Sequence, residues 1–155
     1  MKDAKPLPLL GLVLTLLCGC QEAPQEPVQP PKPSFVVELS DADFLTKTRK
    51  GIVLLDAYAA WCGPCQWMEP HLEKVAETLQ GKVMVARIDV DANQEFSRYF
   101  RIGPIPTLIV FVNGKQVEYS PGARSEKELH ELVAEYINEP PTEPGPVGFP
   151  TQEEQ

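Results

Sequence analysis

The stretch GIVLLDAYAAWCGPC (residues 51–65) carries the strongest structural signal in this chain of 155 residues. Residues 51–59 are almost continuously apolar, which is typical of a β-strand whose two faces are both buried. Directly after this run, Cys62 and Cys65 are separated only by a Gly-Pro dipeptide. Apolar residues then recur at helical spacing over residues 65–80. We therefore expect a buried strand that leads through the two cysteines into a helix.

The two cysteines are predicted to differ in role because of that helix. Unpaired backbone N–H groups and the helix dipole favour negative charge at Cys62, so we expect it to be stabilised as a thiolate, the nucleophilic form. Pro64 suits an early helical position, and Gly63 leaves the approach to the sulfur uncrowded. Cys65 is expected to point inward, close enough to form a disulfide with Cys62. One exposed nucleophile and one shielded thiol is what disulfide exchange requires.

Other uses of such a cysteine pair stay open. A structural disulfide with this spacing would add little stability, because the loop that it closes is short. A structural zinc site needs four ligands, and no second Cys or His pair follows, so no metal site is predicted. Copper delivery would combine two thiolates with a histidine. His71 is expected to point elsewhere on the helix, and the position of His130 is left open.

The ends of the chain differ in composition from its centre. Prolines concentrate in residues 20–34 and 139–155, which lack hydrophobic periodicity and which we interpret as a linker and a disordered Pro/Glu-rich tail. The residues between them, 35–138, are enough for one domain with its own core. The formal net charge is −8 and the basic residues are scattered, which argues against nucleic acid as a partner.

Residues 1–19 have the build of a secretory signal peptide, since two lysines precede the apolar run LPLLGLVLTLL (residues 7–17). This run is too short to cross a bilayer as a stable helix. The sequence LCGC (residues 17–20) resembles the lipobox of bacterial lipoproteins, in which the cysteine is acylated and the leader is removed just before it. The resemblance implies that Cys20 is lipidated and begins the mature chain. An ordinary secretory leader is the alternative.

Strands and helices are predicted to alternate in the central domain. In chain order, we expect a strand at 34–40, a helix at 41–50, a strand at 51–59, a helix at 65–80, a strand at 82–91 and a helix at 93–100. A hairpin at 107–119 and a final helix follow. Ser40 is expected to be the N-cap of the first helix, Asn113-Gly114 to form the hairpin turn, and residues 125–128 to form a capping box that opens the last helix. The fold class is therefore α/β: a central mixed β-sheet, parallel at its centre, with helices on both faces.

The segment DAYAAWCGPCQWMEP (residues 56–70) resembles the active-site segment of the thioredoxin family, and the likeness extends over residues 35–138. The motif matches at Trp61, Cys62, Gly63, Pro64 and Cys65. The resemblance implies the thioredoxin fold and a redox-active Cys62–Cys65 disulfide, with no cofactor. It also implies that Cys62 attacks a substrate disulfide and that Cys65 resolves the mixed disulfide.

Two further family signatures have counterparts here. Asp56 precedes the first cysteine by six residues, where the family carries a buried aspartate. Its place in an apolar strand predicts a raised pKa and a role as proton acceptor for Cys65. A solvent-facing aspartate at a strand end is the alternative. Ile105, Pro106 and Thr107 match the family's Ile-Pro-Thr with a cis peptide, which implies that a substrate chain pairs with the backbone at Ile105.

Four positions depart from the family pattern. Gln66 and Arg87 stand where lysines are common, Tyr58 replaces a tryptophan, and Pro104 replaces the glycine that usually precedes Ile-Pro. None of these changes removes a catalytic group. They leave the redox potential and the choice of partner open.

These interpretations predict a membrane-tethered thiol–disulfide oxidoreductase, monomeric and facing the periplasm or the cell exterior. A Gly-Pro dipeptide between the cysteines is associated in the family with reductants, so we expect net reduction of disulfides in exported proteins. A membrane electron donor would then re-reduce the dithiol. Gln21 favours the outer membrane, because aspartate at that place commonly signals inner-membrane retention. A non-catalytic binding or copper-delivery module, and the same dithiol acting as an oxidase, are the alternatives.

Overall fold

The computed structural model describes residues 34–138. The predicted signal peptide at 1–19, the lipidated Cys20 with the linker up to residue 33, and the predicted tail at 139–155 lie outside the described residues. Within 34–138, no helix is both long enough and apolar enough to span a bilayer.

Strands and helices alternate along the described residues. Their bounds are β1 Val37–Leu39, α1 Phe44–Thr48, β2 Ile52–Tyr58, α2 Gly63–Thr78, β3 Val83–Asp89, α3 Gln94–Tyr99, β4 Thr107–Val112, β5 Lys115–Pro121 and α4 Glu126–Asn138. The strands lie in the order β1-β3-β2-β4-β5. The first three pair in parallel, and β4 and β5 are antiparallel. This mixed sheet confirms the predicted α/β thioredoxin fold.

The sheet separates two apolar cores, and β2 contributes to both. Because consecutive residues of a strand point to opposite faces, a strand covered on both sides needs apolar residues at nearly every position. One core joins the sheet to α2 and α4 and includes Leu54, Met68, Leu72, Leu108, Val110 and Leu129. The other joins the sheet to α1 and α3 and includes Val53, Leu55, Ala57, Phe44 and Phe96.

The prediction that Ser40 caps α1 is wrong. The N-cap is Asp43, and the helix covers only Phe44–Thr48. The carboxylate of Asp43 accepts hydrogen bonds from the Ser40 backbone N–H at 2.7 Å and from its hydroxyl at 3.0 Å. Asp43 thus holds the residues after Ser40 in a turn, so the helix begins later than predicted.

Two other local predictions are confirmed. The backbone N–H and the hydroxyl of Ser125 both donate to Glu128 Oε2, at 2.8 and 2.6 Å, which is the predicted cap of α4. Asn113 and Gly114 have φ values of 52° and 84° and form the turn between β4 and β5. Positive φ at both residues is what a tight hairpin turn requires.

Candidate active site

The cysteine pair lies where β2 leads into α2. Cys62 is the N-cap of α2 in an extended conformation, and its sulfur accepts a hydrogen bond from the backbone N–H of Cys65 at 3.3 Å. Pro64 lies in the first helical turn, where no backbone donor is lost. A disulfide joins Cys62 to Cys65 across a Cα–Cα distance of 5.3 Å. The structure therefore places the first sulfur at the helix N-terminus, within range of its backbone N–H groups.

Cys62 is less exposed than expected. Cys65 is fully buried, as predicted, but Cys62 is only 4% exposed in the disulfide form. Its sulfur is drawn toward Cys65, and Val90 and Ile105 pack against the cluster that the two cysteines form with Ala59. Cys62 is nevertheless the only one of the two cysteines with accessible surface. An attacking thiolate must therefore approach it from the narrow side that faces solvent.

That side is bordered by Trp61 and Gly63. The Trp61 indole is 70% exposed, and its Nε1 donates to Asp91 at 2.7 Å. A Cβ atom added at Gly63 would meet nothing within 4 Å, so the space next to Cys62 is open. Trp67, on the same helix, is 54% exposed and its ring contacts His71 edge to face. Trp67 was not among the predicted site residues, although its position four residues after Gly63 predicts the same helix face.

The Ile-Pro-Thr segment lies beside the disulfide. The Ile105–Pro106 peptide bond is cis, as the resemblance implies. Ile105 packs against the two cysteines, and Thr107 begins β4, with its hydroxyl donating to the Pro104 carbonyl at 2.7 Å. The Gly122 N–H donates to the Pro106 carbonyl at 2.8 Å and ties this loop to the end of β5. The structure thus places Ile105 against the cysteine pair, with Pro106 and Thr107 following it in the chain.

Asp56 is buried beneath α2 and does not face solvent. It shares a sheet face with Leu54, which packs against Met68 of α2. Both carboxylate oxygens are buried and have no hydrogen-bond partner among the described residues. Burial raises the pKa of Asp56 from 3.8 to about 7; the nearby Arg87 opposes this rise, and Glu38 and Glu69 add to it. A carboxyl group with such a pKa can accept and release a proton at neutral pH.

A charged cluster surrounds Arg87, on the strand next to Asp56. The guanidinium lies 3.6 Å above the Tyr58 ring, with ion pairs to Glu69 at 3.1 Å and to Glu38 at 3.5 Å. Tyr58 and Arg87 were predicted only as departures from the family pattern, and neither Glu38 nor Glu69 was predicted to belong to the site. Glu69 stands four residues after Cys65, so helical spacing could have placed it on that side of α2. Nothing in the local sequence marks Glu38.

Neither histidine joins the cysteines. His71 contacts Trp67, and His130 Nε2 lies 3.2 Å from the hydroxyl of Thr78, at the last turn of α2. Thr78 is sixteen residues beyond Cys62, which corresponds to about 24 Å at 1.5 Å per residue. Within 34–138, no group of three or more His, Cys, Asp or Glu is arranged to hold a metal ion. The histidine that copper delivery would need therefore lies far from the thiols.

Comparisons with known proteins agree with this geometry. The model of the Thioredoxin family matches residues 35–135. The thioredoxin of Bacillus subtilis (strain 168) is 38% identical over 102 residues, which are 66% of this chain and 98% of that protein. A thioredoxin of Staphylococcus aureus is 36% identical over the same length, with the same coverage of both chains. The match spans the described domain, including the disulfide, Asp56 and the cis-proline loop. This chain belongs to the thioredoxin family.

Proposed function

We propose that this protein is a membrane-tethered thiol–disulfide oxidoreductase that reduces disulfides in exported proteins. Family membership supports a redox-active dithiol in general. The observation that carries the proposal is the placement of Cys62 at the N-terminus of α2, disulfide-bonded to the buried Cys65 and next to the cis-proline loop. A structural disulfide would need neither an open approach at Gly63 nor a buried carboxyl group.

In the first step, the thiolate of reduced Cys62 attacks one sulfur of a substrate disulfide. A bond forms between Cys62 and that sulfur, the substrate disulfide breaks, and its second sulfur leaves as a thiolate that takes a proton from water. The helix N-terminus stabilises the attacking thiolate before the reaction. The cis-proline loop is positioned to align the substrate backbone beside Cys62.

In the second step, Cys65 gives its proton to the carboxylate of Asp56 and attacks the Cys62 sulfur. The Cys62–Cys65 disulfide forms, and the remaining substrate sulfur is released as a thiolate. Two electrons have then moved from the protein to the substrate. A membrane electron donor must return two electrons before the next cycle; the proton held by Asp56 then goes back to Cys65, and Cys62 is restored as the thiolate.

Export and tethering are supported by the sequence at the N-terminus. The lysines, the apolar run and the LCGC box together resemble a lipoprotein leader of residues 1–19 that is removed just before Cys20. The proline-rich residues 20–34 would hold the domain away from the bilayer. Outside the cytoplasm, disulfides are common in proteins, so a tethered reductant would meet its substrates there.

The test is reduction of the insulin disulfides with dithiothreitol as the electron source. The wild-type chain is expected to accelerate the reaction. With Cys62→Ser, the rate is expected to fall to that of the uncatalysed reaction. Circular dichroism verifies that the variant is folded. Full activity of Cys62→Ser would refute the proposal.

The direction of electron flow needs a separate experiment. We expect Cys62 and Cys65 to be mainly reduced in intact cells, because a reductant must be kept in the dithiol form by its donor. Rapid acid quenching followed by alkylation with a mass-tagged maleimide measures this state. A predominantly oxidised pair would instead identify the protein as an oxidase.

A further inference from the structure

A row of charged residues crosses the sheet beneath α2. Glu38 of β1 is in register with Arg87 of β3, and Arg87 is in register with Asp56 of β2. Register partners on neighbouring strands point to the same face, so the three side chains form a negative–positive–negative row. On the far side of Asp56, the partner from β4 is the apolar Leu108. Arg87 is therefore the cation nearest to Asp56 in this row.

Arg87 nevertheless makes its charged contacts with other partners. Its Nη1 lies 3.1 Å from Glu69, and its guanidinium carbon lies 3.6 Å from the centre of the Tyr58 ring. Its Nε lies 3.5 Å from Glu38, an ion-pair distance, and makes no hydrogen bond within residues 34–138. The Tyr58 hydroxyl in turn donates to Glu38 at 3.3 Å. Both oxygens of Asp56 stay without a hydrogen bond among the described residues. The contacts thus come from β1, β2 and α2, and Asp56 supplies none of them.

An isolated buried carboxylate next to a guanidinium normally forms a bidentate ion pair with it. Such a pair would keep Asp56 ionised, and it would be a weak proton acceptor, because an opposite charge at contact distance favours the charged form. Arg87 is only 12% exposed, so this attraction is poorly screened by solvent. Some other interaction must hold the guanidinium away from Asp56.

We propose that Glu38, Tyr58 and Glu69 form a clamp that holds Arg87 away from Asp56, so that Asp56 stays free to exchange a proton with Cys65. The three residues act through Arg87 and are positioning residues. The effect on turnover rests on the proposed function, whereas the clamp itself is a property of the folded domain.

The charges that face Asp56 predict the direction in which the pKa of Asp56 changes when the clamp is disturbed. They are Arg87 from β3, Glu38 from β1 and Glu69 from α2, the helix that also carries Cys65. Arg87 lowers the pKa of Asp56, and the two glutamates raise it. Loss of Glu69 should release Arg87 toward Asp56 and lower the pKa of Asp56. Loss of Arg87 should raise it.

The experiment titrates the Asp56 carboxyl carbon by ¹³C NMR in the oxidised full chain. Glu69→Gln is expected to move the titration midpoint down by about one pH unit, and Arg87→Gln to move it up by about the same amount. Arg87→Lys, which keeps the charge, should move it less than Arg87→Gln. Glu77→Gln is the matched control, since it removes one exposed carboxylate from the same helix, in an ion pair with Lys74. It should leave the midpoint in place.

A double variant separates the clamp from the direct field of the Glu69 charge. If Glu69 acts through Arg87, most of the shift caused by Glu69→Gln disappears in the Arg87→Gln background. The clamp is overturned if Glu69→Gln shifts the Asp56 midpoint by the same amount in the Arg87→Gln background as in the wild type. It is also overturned if Glu69→Gln alone leaves the midpoint unchanged or raises it. Glu69 is half exposed, so its variant is expected to fold.

Turnover gives the second readout. The acid limb of the pH profile of kcat/KM for insulin reduction should move in the same directions as the NMR midpoints. If the wild-type chain does not reduce insulin at any pH, the proposed function fails. The NMR titration still tests whether the clamp holds Arg87 away from Asp56. Normal turnover with pH profiles that are identical in all variants would overturn the role of the clamp in catalysis.

Discussion

At the scale of one residue, the buried carboxyl group of Asp56 destabilises the folded state when it ionises. This group is buried and accepts no hydrogen bond from any residue within 34–138, and burial raises its pKa to about 7. In the unfolded chain the same group ionises near its ordinary value of 3.8. The folded state therefore holds the proton more tightly than the unfolded state, and ionisation of Asp56 destabilises the fold.

This effect predicts that Asp56→Asn raises the free energy of unfolding, by an amount that depends on pH. Well below pH 3.8, both states of the wild type are protonated and the carboxyl imposes no ionisation cost; at pH 4 this cost is still small. As pH rises to about 7, the unfolded chain loses its proton first and stability falls. Above pH 7 the full cost applies, about 4 kcal/mol at about 1.4 kcal/mol per pKa unit. Asp56→Asn should thus gain stability at pH 8 relative to pH 4.

Urea unfolding of the oxidised chains at these two pH values measures the gain. The variant's advantage over the wild type should be several kcal/mol larger at pH 8 than at pH 4. An equal difference in the free energy of unfolding at both values would mean that Asp56 does not titrate as described.

Cys65 allows a second test at the residue scale. Cys65→Ser removes the resolving sulfur while keeping the nucleophile Cys62, so the reaction should stop at the mixed disulfide. Non-reducing electrophoresis should show covalent complexes with insulin chains that dithiothreitol releases. The double variant Cys62→Ser/Cys65→Ser is the control and should form none. Free release of product from Cys65→Ser at the wild-type rate would contradict the assigned roles.

At the scale of an element, the β4–β5 hairpin depends on its turn. Gly114 has φ of +84°, a conformation that side chains with a Cβ atom disfavour. Gly114→Ala should therefore lower the free energy of unfolding by about 1 kcal/mol. The added methyl group itself would be tolerated, because its nearest neighbours, in Arg49, lie at 3.6 Å or more. Thermal or urea unfolding measures the loss.

Gly103, in the loop that precedes β4, provides the control for the effect of φ. It is not in the positive-φ region, and a Cβ atom there would meet nothing within 4 Å. Gly103→Ala should leave stability unchanged within about 0.5 kcal/mol. If the two variants lost the same stability, the positive φ at Gly114 would not be the cause.

At the scale of the whole molecule, the proposed tether and the domain should be separable. Cys20→Ser removes the acylated sulfur, so the protein should leave the membrane fraction and appear in the soluble fraction of the envelope. Insulin reduction per mole of protein should not change, because Cys20 precedes the described domain. Fractionation with immunoblotting measures the first effect. Retention of Cys20→Ser in the membrane would show that another segment anchors the chain.

Local patterns determined much of this protein. The run before Cys62 predicted a strand buried on both faces, and the apolar stripe after Cys65 predicted α2. The capping residues Ser125 and Glu128 predicted the start of α4. These signals could be read because strands, turns and caps depend on residues within a few positions of one another. The same reasoning failed at Ser40, whose backbone N–H and hydroxyl donate to Asp43 in the turn that precedes the helix.

The surroundings of the dithiol were decided by tertiary structure. Glu38, Asp56 and Arg87 come from three strands, and only the register of the parallel sheet aligns them. Glu69 reaches Arg87 because α2 packs across that face, and Ile105 covers Cys62 because β4 pairs with β2. The sequence by itself therefore determined the fold class, the cysteine pair and its helix. Charge balance and access at the site arise from contacts between residues distant in the chain, which no local pattern encodes.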